Sequence, residues 1–208
     1  MNGTQTIEVR WFYRGNIPEE VVTWFEAIGT PPQPDSRSDL YLQPSSSDLG
    51  IKIRQGNLEV KYCQQQLGTI AIAGGGDGRV QQWTKWICHD PSLELVGGEK
   101  QAWIEVAKIR HQRLYLVEFG EPIRLTPIPT PCQNAAAIEV TQLQLQGQPW
   151  WTIACEYLGN NISVEGQFLA LVRSLLLGYP GAESAPVPGD GYPQWLQTNS
   201  SNLSNFTG

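Results

Sequence analysis

The chain has 208 residues, 40% hydrophobic and 16% charged, with 21 Gly, 15 Pro and 8 Trp. That length suits one domain with a sizeable core and needs no metal or disulfide staple to fold. Fourteen Lys and Arg against 20 Asp and Glu give a net charge of −6, which argues against a general nucleic-acid binder. No apolar run reaches the ~18–20 residues that cross a bilayer as a helix, and no export signal is visible, so a cytoplasmic protein without membrane contact is expected.

The first element is an alternating stretch, Thr6–Tyr13, which places Ile7, Val9 and Trp11 on one face and Glu8, Arg10 and Phe12 on the other. Pro18–Ile28 then carries Val21, Val22, Trp24, Phe25 and Ile28 on one helical face, opened by Pro18 and closed by Gly29. Period-two alternation returns in Asp39–Gln43, Gly50–Arg54, Asn57–Cys63, Leu67–Ala73 and Arg79–Ile87. It continues in Gln101–Arg110, Gln112–Phe119, Ala136–Leu145 and Pro149–Tyr157. Short Gly- and Asn-bearing turns join several of these strands, so sequence neighbours are expected to pair antiparallel. Ser163–Leu177 reads as a second helix with Ser163 as its cap.

These elements predict an α+β fold: a mainly antiparallel β-barrel or strongly curled sheet of eight or more strands, tunnel-like, with two covering helices. Residues 1–177 form that domain. Residues 178–208 are rich in Pro, Gly, Ser and Asn and contain no Lys or Arg, and they read as a loosely ordered tail. Tyr192 and Trp195 are the residues able to pin part of it to the body.

Ten of the fourteen basic residues fall between Arg37 and Arg113, and several alternate along strands. Lys52 and Arg54 oppose Ile51 and Ile53, Glu59 and Lys61 oppose Leu58 and Val60, and Lys108 shares a face with Arg110. On a flat sheet this would be a charged, water-facing side. On a sheet that curls until those faces meet, it gathers cations in one cavity, and such a cavity needs an anion. Arg10, Lys52, Arg54, Lys61, Lys85, Lys108 and Arg110 are the candidate anion contacts, and phosphate suits Arg forks and Lys point charges.

The order of these motifs resembles the CYTH superfamily, the triphosphate tunnel metalloenzymes. The resemblance rests on Ile7-Glu8-Val9-Arg10-Trp11-Phe12, the early helix, Asp39-Leu40-Tyr41, Ile51-Lys52-Ile53-Arg54, Leu58-Glu59-Val60-Lys61, Lys108-Ile109-Arg110 and Glu139-Val140-Thr141. It implies a barrel that holds a phosphorylated small molecule, and Mg²⁺ or Mn²⁺ on carboxylates, here Glu8 and Glu139. The chain departs from the family pattern where Arg10 and Thr141 replace carboxylates and Phe12 replaces a lysine. Triphosphatase activity is therefore expected to be weak or lost, and anion binding to remain.

Two other functions fit the same residues. One is a non-enzymatic barrel whose interior charges close on each other, acting on a protein partner through a Trp-rich surface. The other is a lipocalin-like carrier of a flat hydrophobic ligand. The Gly74–Gly78 run lacks the following Lys-Ser/Thr of a phosphate-binding loop. The four cysteines form no CxxC pair and read as reduced thiols. Two histidines, neither beside a nucleophile motif, give no catalytic triad.

Overall fold

The computed structural model describes residues 3–29, 33–74, 76–90, 102–159, 162–187 and 190–200. Nine strands follow in chain order: β1 Thr4–Arg14, β2 Asp35–Leu42, β3 Leu49–Arg54, β4 Asn57–Ala71, β5 Asp77–His89, β6 Trp103–Glu118, β7 Arg124–Pro127, β8 Ala135–Leu145 and β9 Gln148–Leu158. All pair antiparallel, in the order β2-β3-β4-β5-β1-β9-β8-β6-β7, and a further pairing of β2 with β6 closes the first eight into a barrel. β7 lies outside the closure, on the far end of β6.

Closure depends on the length of β6. Residues 103–110 pair with β2 and residues 115–118 with β7 along one edge, while residues 106–116 pair with β8 along the other. The sequence predicts two strands here, and also two between Asn57 and Ala73. Each is one continuous strand, and β4 absorbs the irregularity in register shifts between Cys63 and Gln65 and between Gln66 and Gly68. Such bulges sharpen the local bend and help a sheet curl. Of the expected Gln101–Arg110 strand, Gln101 lies outside the described residues.

The larger hydrophobic cluster lies on the outside of the barrel. Ile7, Val9, Trp11 and Tyr13 of β1, with Ile138 and Val140 of β8 and Trp151 and Ile153 of β9, point outward and are covered by two helices. Helix α1 (Glu19–Ala27) contributes Val21, Trp24 and Phe25, and helix α2 (Leu169–Leu175) contributes Leu171, Val172 and Leu175. A π-turn over Val164–Phe168, capped by Ser163, leads into α2. Each large apolar side chain buried here stabilises the fold by ~1.5–3 kcal/mol.

The C-terminal stretch differs from the loose tail expected of its composition. Tyr192–Ser200 is a third helix, α3, with Trp195 and Leu196 fully buried. It seals one end of the barrel against Phe12, Tyr41, Val106, Leu143, Leu145 and Trp150. Trp195 stacks on Phe12 at 5.0 Å, and Val187 bridges the Phe12 backbone just before the helix. Polar composition did not prevent docking, because Trp195 and Leu196 are fully buried and Tyr192 packs edge-on against Phe12.

Six of the eight tryptophans, Trp11, Trp24, Trp83, Trp150, Trp151 and Trp195, are buried. The scaffold reading's Trp-rich surface is thus reduced to Trp86 and Trp103, each partly buried. Among the described residues, no helix is long and apolar enough to cross a membrane.

Candidate anion-binding cavity

Because side chains alternate along each strand, packing Ile7, Val9 and Trp11 outward sends Glu8 and Arg10 inward. The same rule turns Lys52 and Arg54 of β3, Glu59 and Lys61 of β4, Lys85 of β5, Lys108 and Arg110 of β6, and Glu139 of β8 into the lumen. All nine sequence candidates line one cavity of about 140 Å³, together with Arg37, Tyr41, Thr141, Glu156 and Tyr192. Its charged walls are unlike those of a carrier for a hydrophobic ligand.

The deepest group is Asp39, which is completely buried on β2. It accepts Lys108 Nζ at 2.9 Å, Lys52 Nζ at 3.1 Å and Arg37 Nε at 3.2 Å. Burial raises a carboxyl's pKa, but the charges of Lys108 and Lys52 overcome this and hold Asp39 well below the usual carboxylate range. Lys108 also donates to Tyr41 Oη at 2.6 Å, and its ammonium lies 3.7 Å from the centre of the Tyr192 ring. The sealing helix thus reaches the charged layer as well as the apolar one.

Above this layer the pairs repeat around the wall. Arg10 Nη1 reaches Glu139 Oε1 at 2.5 Å and Thr152 Oγ1 at 3.0 Å. Lys61 Nζ reaches Glu8 Oε2 at 2.6 Å, and Glu59 holds Arg54 at 2.6 Å and Lys52 at 3.3 Å. Arg110 contacts Asp35 at 3.0 Å and Glu139 at 3.9 Å. Arg37 bonds the same Asp35.

Burial against like charge tunes the lysines. Desolvation and the neighbouring Lys108 outweigh Asp39 and Glu59 and bring Lys52 down to about 7. Desolvation likewise brings Lys108 down to about 8 despite its bond to Asp39. Glu139 moves the other way, because Arg10 and Arg110 outweigh its burial and lower it to about 2.

Eight basic side chains line the cavity. Six carboxylates either line it or bind those bases: Glu8, Glu59, Glu139, Glu156, Asp35 and Asp39. Among the described residues the bases thus outnumber the carboxylates by two, with Lys52, at about 7, carrying only part of its charge while the cavity is free. Lys85 has no ion-pair partner among the described residues. Thr141 Oγ1 and Arg110 Nε are buried there without a hydrogen-bond partner among the described residues.

The carboxylates named for a divalent cation are already engaged. Glu8 is held by Lys61 and Glu139 by Arg10. Among the described residues no three Asp, Glu, His or Cys side chains gather as metal ligands. Mg²⁺ and Mn²⁺ require several oxygen ligands at close range, and this donor set does not supply them.

Some members of the site escape a reading in sequence alone. Starting β2 at Asp39 leaves out Arg37, although Arg37, Asp39 and Tyr41 alternate as polar residues on one face. Tyr192 joins only through the docking of α3, which no local pattern announces.

The sequence matches no protein-family model and no curated protein. Solved structures similar to it include two from Pyrococcus. One is the PH1012 protein from Pyrococcus horikoshii OT3, with 13% identity and a TM-score of 0.39, covering 81% of this chain and 89% of that one. The other is a conserved hypothetical protein from Pyrococcus furiosus, with 11% identity and a TM-score of 0.39, covering 81% and 90%.

Proposed function

We propose that this chain is a divergent CYTH-like barrel whose interior binds a phosphorylated small molecule. The observation that supports this is the excess of cations in one partly enclosed cavity, eight lining bases against six carboxylates. A charged interior that served only as scaffold would be expected to balance its charges. Here Lys85, half-buried in the wall, makes no ion pair among the described residues.

Binding, and not hydrolysis, is the activity this arrangement supports. The carboxylates that would collect a metal are neutralised by Lys61 and Arg10. Tripolyphosphate, compared with NaCl at matched ionic strength, tests the reading by thermal unfolding. A ligand at one hundred times its Kd adds about 2.7 kcal/mol, which raises Tm by roughly 5–10 °C in a domain of this size. An unchanged Tm at millimolar tripolyphosphate would remove the reading.

A further inference from the structure

We infer, resting on that reading, that the barrel binds a phosphoryl oxyanion without a divalent cation, seated where Thr141 of β8 adjoins Arg110 of β6. These two residues are register partners across the β6–β8 ladder. Thr141 is 1% exposed and its hydroxyl has no hydrogen-bond partner among the described residues. Arg110 Nε is also buried and unpartnered, while its Nη atoms are fixed by Asp35 at 3.0 Å and Glu139 at 3.9 Å. Two adjacent, unused donors on a cavity wall call for an acceptor, because a buried donor left without a partner is costly.

The charge of that acceptor follows from the surplus. Eight bases stand against six carboxylates, and a phosphate monoester carries about −1.5 to −2 at neutral pH. An added carboxylate would leave one cation uncompensated. The volume of about 140 Å³ admits one compact oxyanion and a few waters.

A metal's usual part in such a site is to neutralise phosphoryl charge and bridge it to carboxylates. Here Arg10, fixed at 2.5 Å on Glu139, and Lys61, fixed at 2.6 Å on Glu8, already supply positive charge to those carboxylates. A divalent cation would have to displace both, and would meet a cavity already in positive excess.

The test is calorimetric titration of the full chain with orthophosphate and with tripolyphosphate, in EDTA and again in excess Mg²⁺. The expected result is an affinity for tripolyphosphate that EDTA leaves within twofold. T141V then weakens it about tenfold, the loss of one hydrogen bond to a charged group, while T141S retains it. Orthophosphate binding as tightly as tripolyphosphate assigns the seat to a single phosphoryl group; a steep gain along the series assigns it to the end of a chain. Binding that appears only with Mg²⁺ overturns the metal-free inference and leaves the anion-binding reading standing. Metal-free binding that T141V does not weaken overturns the placement at Thr141. No binding of either anion under any condition overturns the broader reading itself.

Discussion

Arg10 of β1 and Glu139 of β8 meet at 2.5 Å inside the barrel, although β9 lies between their strands. Each side chain is only 11% exposed. Breaking a buried pair leaves an uncompensated charge and costs about 3–5 kcal/mol. Glu139→Ala is therefore expected to lower Tm by about 10 °C. The paired replacement Arg10→Met with Glu139→Leu is expected to recover most of that loss, as a double-mutant cycle by thermal unfolding would show. A pair merely near one another would give additive losses.

The same carboxylates set the acid limit. Glu139 is lowered to about 2, Asp39 lower still, and Glu59 is lowered as well. Their folded values lie below those of the unfolded chain, so the stability they add is present above about pH 4.5 and is lost as pH falls toward 2. Urea unfolding at pH 6, 4 and 3 is expected to show a steady fall in midpoint, and Glu139→Gln to flatten it.

Lys52 couples pH to binding. With its value at about 7, it is partly neutral at pH 7.5 when the cavity is free. A bound anion favours the ammonium, raises that value, and draws a proton from solution. Calorimetry in two buffers of different ionisation enthalpy is expected to show net proton uptake at pH 7.5. Affinity is expected to fall as pH rises from 7 to 9. Loss of that uptake in Lys52→Met would assign the proton to this residue.

Lys85 separates binding from folding. It lines the cavity without an ion-pair partner among the described residues. Lys85→Ala is expected to keep stability within about 0.5 kcal/mol, while tripolyphosphate affinity falls several-fold. A large loss of Tm would show that the lysine is structural.

Helix α3 is part of the folded unit. Trp195 is fully buried between Phe12 and Trp150, with ring centres at 5.0 and 5.5 Å. Trp195→Ala is expected to cost about 3–5 kcal/mol, the usual range for emptying a packed tryptophan site. Urea midpoints measure it, and a change under 1 kcal/mol would mean that the sealing contact is dispensable.

Much of the barrel wall was legible because its signal is local. Alternation in Ile7–Phe12, Ile51–Arg54 and Leu58–Lys61 separates two faces by backbone geometry alone, whatever the rest of the chain does. Where the alternation breaks, at His111 and at Gln64–Gln66, pairing along one edge, with β8 and with β5, carries β6 and β4 through as single strands.

The sequence alone determined which residues share a face: Glu8 with Arg10, Lys52 with Arg54, Lys108 with Arg110. Only the tertiary structure decided that those faces turn inward, through the β2–β6 pairing that closes the sheet. Closure joins residues some seventy positions apart, Asp35 to Arg110 among them, and no short-range periodicity encodes it. The partner of each charge was decided in the same way. Whether Arg10 meets a phosphate, a metal-free carboxylate or water depends on distances across the lumen, which exist only once the barrel has shut.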